Sequence, residues 1–218
     1  MVKLSPNQPA RDDKESSDSS PRRCVTPPLI APSPKSHLSM PDAKSRTPAA
    51  LGFLTVTEHA ELGLFGGYLV LNAAGRPLEF HCTSPVKPNR AQEILYGPTL
   101  KPYLYGEQIG QTLIAKAKND VGLVCTDLAA CLAAREFIER PILLIESADT
   151  SDARDYALGS RFALGKNEAR TAAQYSADEN AACEFHAQLH DAIDLLEPFA
   201  RIREALEEAQ KSVRPQAA

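Results

Sequence analysis

The chain has no tryptophan, only two methionines, and no CxxC pair among its five cysteines. Cys24, Cys82, Cys125, Cys131 and Cys183 are odd in number and widely spaced. That spacing argues against a disulfide framework or a zinc knuckle and favours reduced thiols. No stretch approaches the roughly 18 apolar residues of a membrane helix, and the first residues, MVKLSPNQPARDDKESS, hold no apolar run of signal-peptide length. The expectation is a cytoplasmic protein without a membrane span. P-loop, GxGxxG, GxSxG and kinase signatures are missing, as is any internal repeat. These absences count against nucleotide-dependent and hydrolase families with strong local motifs, and no cofactor is implied.

What is present divides unevenly. Residues 1–48 hold nine of the seventeen prolines, nine serines and no aromatic residue, with eight Lys/Arg against five Asp/Glu. So little apolar surface cannot offset the entropy of ordering, and this segment reads as a disordered tail. Its five Ser/Thr-Pro steps, at Ser5, Ser20, Thr26, Ser33 and Thr47, are potential phosphate acceptors, although Ser and Pro are also simply common in such segments. Residues 49–218 carry sixteen basic against twenty-three acidic residues. They read as one mixed α and β domain whose acidic balance makes nucleic acid an improbable partner.

Apolar runs of strand length occur at 51–57, 64–72 and 78–83, with Gly75 placed for a hairpin turn between the last two. The pattern predicts a three-stranded antiparallel meander, and Gly66-Gly67 suggests a bulge or a close backbone approach. Asn89 can cap a short helix, and Tyr105, Ile109, Leu113 and Ala117, four apart, predict a longer one over 102–118. Next come a strand at 121–125, an Ala-rich helix over 128–139 and a strand at 142–145, a β-α-β unit with parallel strands. The region 147–174 offers only loops and one hairpin around Phe162 and Leu164. Ser176-Ala177-Asp178-Glu179 is a capping-box sequence that predicts a helix through His190. Leu195, Phe199, Ile202, Leu206, Ala209 and Val213 form a heptad-like seam, with Glu197–Arg201 and Glu207–Lys211 spaced for i,i+4 pairs. The fold class expected is α+β with a mixed sheet and two C-terminal helices. The terminal seam either packs on the sheet, the preferred reading, or meets a protein partner or a second copy.

Four constellations could carry chemistry. Cys125 sits at the end of a parallel strand before a helix N-terminus, a place that lowers thiol pKa values, though a buried structural cysteine is the commoner case. Asp127 beside it can hold a ligand or cap the helix, and His81 lies on the third strand of the meander. Cys183, His186 and His190 share one helix face at metal-ligand spacing, but HExxH is lacking and a solvated face is the preferred reading. Between Arg76 and Lys118, six basic residues (Arg76, Lys87, Arg90, Lys101, Lys116, Lys118) outnumber three acidic ones and accompany Tyr96, Tyr103 and Tyr105. Such a mixture can stack on bases or anchor a partner, or merely pack a loop onto the sheet.

The stretch 67–72 (GYLVLN), followed by 75–83 (GRPLEFHCT) and 89–111, resembles a group of bacterial proteins labelled only as hypothetical. The resemblance covers about a quarter of the chain and implies no activity or site residue. The leading functional reading is a non-enzymatic protein-interaction or adaptor domain with a regulatory tail. The alternatives are a small ligand-binding domain or thiol-dependent enzyme with its site at the Cys125 strand, and nucleic-acid binding through the Arg76 to Lys118 region.

Overall fold

The computed structural model describes residues 22–23, 50–147, 155–187, 189 and 194–213. The predicted disordered tail lies outside the described residues, apart from the two-residue strand β1 (Arg22–Arg23). One mixed sheet organises the rest. β2 (Ala50–His59), β3 (Gly63–Asn72) and β4 (Pro77–Cys82) form the expected antiparallel meander. β5 (Leu123–Thr126) lies parallel to β2, and β6 (Ile142–Glu146) lies parallel to β5. β7 (Phe162–Leu164) and β8 (Asn167–Arg170) are the hairpin expected around Phe162, turned by Gly165 at φ 62°. The order across the sheet is β1-β7-β8-β6-β5-β2-β3-β4. The fold is α+β, as the sequence indicates.

Alternation along the strands sends side chains to two faces, each with its own cover. Leu54, Val56, Tyr68, Val70, Val124 and Leu144 face a helical run and the Ala-rich segment. That run passes from α2 (Leu100–Pro102) through π-helical Tyr103–Gln111 to α3 (Thr112–Lys116), where the sequence predicts one continuous helix. The Ala-rich segment is a 3₁₀-helix, Ala129–Glu136, rather than the predicted α-helix. The two pack backbone to backbone: a Cβ at Gly106 would stand 2.6 Å from the Ala133 methyl and 2.7 Å from the Ala134 nitrogen. On the opposite face, Leu51, Phe53, Leu69, Leu123, Cys125 and Leu143 meet α4 (Ala177–His186) and α5 (Glu197–Val213).

Gly66 and Gly67 supply close approach rather than a bulge. A side chain at Gly66 would collide with Ile109 and one at Gly67 with Ile202, on opposite faces, while the register shift falls between Val70 and Leu71. The capping box at Ser176 does not form. Ser176 already has helical angles after the 3₁₀ turn Ala173–Tyr175, so its hydroxyl makes no cap, and the helix ends at His186. Of the terminal seam, Leu195, Phe199, Ile202 and Leu206 are buried, with the Phe199 ring edge-on to Phe53 at 5.6 Å. Ala209 is half-buried, and the Val213 side chain is outside the described residues. The seam therefore faces this chain's own sheet, which removes it as a partner surface. Arg201 pairs with Glu197 at 3.0 Å as expected, but Lys211 pairs with Glu208 at 2.9 Å rather than with Glu207.

Candidate nucleic-acid interface

A cleft of about 710 Å³ opens where β2 turns into β3. Gly63, at φ 100°, lets the following segment cross closely: a Cβ there would meet the Val86 carbonyl at 2.6 Å. Leu64 and Val86 exchange two backbone hydrogen bonds of 2.8 Å, and Lys87 donates to the Glu61 carbonyl. The apolar floor includes Leu64, Val86, Leu100 and Leu104. Four polar residues also line the cleft: Glu58, His59, Lys101 and Tyr105. The buried Tyr105 donates its hydroxyl hydrogen to Glu58, and the Lys101 ammonium lies 5.4 Å from the Tyr105 ring centre. His59 Nδ1 accepts the backbone N–H groups of Glu61 and Leu62, each at 3.2 Å.

Helix α1 (Arg90–Tyr96) stands between β4 and the cleft. Asn89 caps it as expected, with Gln92 closing the box, and Gly97 takes φ 49° at its end. No residue of α1 is buried; Ile94 is 66% and Leu95 81% exposed. Tyr96 stacks on Tyr103 at 4.1 Å, and Gln108 donates to the Tyr103 hydroxyl at 2.7 Å. Arg90 is exposed and donates to Glu93 at 2.9 Å. Thus Tyr105 lines the cleft and Tyr96 stacks on Tyr103 next to its Gly97 wall, whereas Arg90 pairs with Glu93 on the exposed helix. Arg76 is elsewhere, in the turn at the opposite end of β4.

The Cys125 strand end is closed. Cys125 is fully buried and burial pushes its thiol up to about 12. Phe53 and Cys125 are register partners, so Thr55 and Asp127, two residues on, follow on the same face beneath α5. Asp127 is 8% exposed and ion-paired with Arg203 of α5, a partner 76 positions away. Desolvation raises its pKa, opposed by the Thr55 hydroxyl and the Arg203 guanidinium. Thr55 Oγ1 affects Asp127 by proximity, but neither it nor Asp127 Oδ1 completes a well-formed hydrogen bond.

His81 is engaged by its neighbour. Its Nε2 lies 2.5 Å from Glu79, which also accepts the backbone N–H groups of Lys118 and Asn119, each at 3.0 Å. These bonds, His81 first, hold the Glu79 carboxyl down near about 2. The arrangement pins the end of α3 to β4. Cys183 is disulfide-bonded, which corrects the expectation of reduced thiols throughout; Cys82, Cys125 and Cys131 carry reduced thiols. His186 packs against Gly165 of the β7–β8 turn, and His190 lies outside the described residues. Among the described residues no group of three His, Cys, Asp or Glu side chains converges to hold a metal, and no helix is long and apolar enough to cross a membrane.

The sequence reading missed Glu58 and His59, because nothing at the end of an apolar strand signals that a distant segment will enclose it. It also missed the clamp in which Arg135 grips Asp178 at 2.8 and 3.1 Å and lies 4.6 Å over the Tyr175 ring.

No protein-family model matches the chain, and no curated protein matches it. Among solved structures, human ENDOV is similar at a TM-score of 0.41 and 10% identity, over 76% of this chain and 87% of that one. The endonuclease V of Ciona intestinalis, solved with a 23mer DNA containing an inosine, is similar at 0.42 and 11%, over 77% and 89%. The expectation of a protein-binding adaptor is withdrawn because the seam meant for its partner is in the core, and the expectation of no nucleic-acid partner is withdrawn because basic Lys101 borders an open apolar cleft. The likeness is one of overall shape, and it carries no residue, substrate or activity to this chain.

Proposed function

We propose that this protein binds single-stranded nucleic acid over α1 and the adjoining cleft. The observation that carries the reading is the cleft itself: an apolar floor large enough for a planar ring, with Lys101 and Tyr105 on its wall, Lys87 against Gly63 at its edge, and the Tyr96–Tyr103 stack flanking Gly97. Bases offer flat apolar faces and phosphates offer negative charge, so a strand with unstacked bases satisfies both parts of this surface. A duplex hides its base faces and leaves the cleft unused. The overall acidity of residues 49–218 does not oppose this, because Lys101 lines the cleft and Lys87 packs against Gly63 at its edge.

The reading stops at binding and includes no bond-breaking step. We further read residues 49–218 as the binding body and 1–48 as its appendage, in the cytoplasm. The reduced thiols of Cys82, Cys125 and Cys131 support that compartment, while the disulfide at Cys183 is of a kind uncommon there.

Fluorescence anisotropy with single-stranded DNA and RNA over a range of salt tests the proposal. Affinity should fall linearly on a log–log plot, and replacing Lys87, Arg90 or Lys101 by Ala should each reduce the slope by about one phosphate contact. Binding that ignores salt, or no binding at low salt, overturns it.

A further inference from the structure

β1 joins the sheet at its β7 edge through a described ladder of two residue pairs, Arg22 with Phe162 and Arg23 with Ala163. The net return from backbone hydrogen bonds over that length is smaller than the entropy lost in fixing part of a Ser/Pro-rich segment. The ladder therefore needs a further anchor. In the chain, the residue after Arg23 is Cys24. Helix α4 packs against β7, with His186 lying on Gly165 of the β7–β8 turn. Cys183, three residues before His186 on the same helical stripe, lies against the core cluster that contains Phe162 and Leu164. Cys183 is disulfide-bonded, whereas Cys82, Cys125 and Cys131 carry reduced thiols. Of the five cysteines in the sequence, that leaves Cys24.

We propose that Cys183 is bonded to Cys24, and that this bridge is a redox-sensitive clasp that holds β1 on the sheet while closed and releases it on reduction. The inference stands apart from the nucleic-acid reading. Opening proceeds by exchange with a dithiol reductant: one thiolate of the dithiol attacks a bridge sulfur to give a mixed disulfide, and its second thiolate then displaces the chain's sulfur. The chain gains two electrons and two protons as two thiols, and the dithiol becomes a disulfide. Exchange with a small-molecule disulfide closes the bridge by the reverse route and returns two small-molecule thiols. Disulfides in a reducing compartment are typically transient or redox-sensing, which reconciles one bridge with three reduced thiols in the same chain. Released from β1, the β7 edge presents unpaired backbone groups.

The test uses the full chain, isolated without reductant, alkylated and digested with trypsin. Mass spectrometry should find peptide 24–35 joined to peptide 171–201, the two that carry these cysteines, and dithiothreitol should part them. Amide hydrogen exchange then reads the clasp. A bridge one residue from the ladder keeps β1 at a high effective concentration beside β7, so the β7 amides should exchange at least about tenfold faster once it is reduced. Cys24→Ser should give the same faster exchange without reductant and leave Cys183 open to alkylation. Alkylation of both Cys24 and Cys183 in the unreduced chain, or peptide 171–201 joined to its own copy or to another cysteine peptide, overturns the bridge. Exchange in β7 that reduction leaves unchanged overturns the clasp.

Discussion

The two faces of the sheet are closed to different degrees. On the α5 side, Phe199, Ile202 and Leu206 reach the strands directly, and the polar group left there, Asp127, is covered and paired with Arg203. On the side of the π-helical run, the cover is equally tight over Leu54 and Tyr68 but gives way beyond Val56, where Glu58 and His59 border open space. The same strand builds both. Its buried residues make a core wherever a helix lies over them, and its last two make a cleft because the turn at Gly63 and the crossing segment stand off from the helix.

The largest effect should come from opening the closed face. Phe199→Ala removes a fully buried ring and should cost about 3–5 kcal/mol in a urea melt, while nucleic-acid binding per folded molecule stays the same. A loss below about 1 kcal/mol would mean that α5 is not seated as described. Next in size, Gly67→Ala and Gly66→Ala push a methyl group into Ile202 and Ile109 respectively. Each should cost about 1–3 kcal/mol by overpacking, and a clear inequality would show which cover yields.

Asp127→Asn should move stability by no more than about 1 kcal/mol, with a sign that depends on pH. Its pKa is raised in the folded protein, so the stability it contributes is full below the unfolded value and is lost as pH rises through the folded one. At neutral pH the variant should match or exceed the parent, and in acid that advantage should vanish; urea melts at both values check it. Glu79→Gln should behave oppositely, with a smaller change. The Glu79 carboxyl is lowered from 4.5 to about 2, so its contribution is present above 4.5 and lost as pH falls through about 2. The variant should be less stable at neutral pH and indistinguishable near the acid end. Finally, alkylation of the native protein at mildly alkaline pH should label exposed Cys82 and spare Cys125 and Cys131, which react only on unfolding. Native-state labelling of Cys125 would break the picture of a closed strand end.

Much of the fold is legible locally. The meander follows from apolar runs separated by Gly75, the α1 cap from Asn89 and Gln92, and the parallel pair from the strand-length runs flanking the Ala-rich segment. These signals act within a few residues, through turn geometry and side-chain period. The candidate site is only half legible. Tyr96, Tyr103, Tyr105 and Arg90 are visible as a composition, whereas the meeting of Tyr105 with Glu58 depends on a contact across 47 positions. Where local rules disagreed with packing, packing prevailed: Ser176 resembles a cap but continues a turn, and the Ala-rich helix tightens to 3₁₀ against Gly106.

By itself the sequence determined which segments become strands and helices and which side chains each must hide, because burying apolar surface is a demand a segment carries wherever it lies. Only the tertiary structure decided that β1, β7 and β8 extend the sheet beyond β6, that the heptad seam covers this chain's own strands, and that Asp127 is closed off while Glu58 stays open. Those outcomes rest on which distant surfaces fit one another, a property of pairs of segments that neither segment encodes alone.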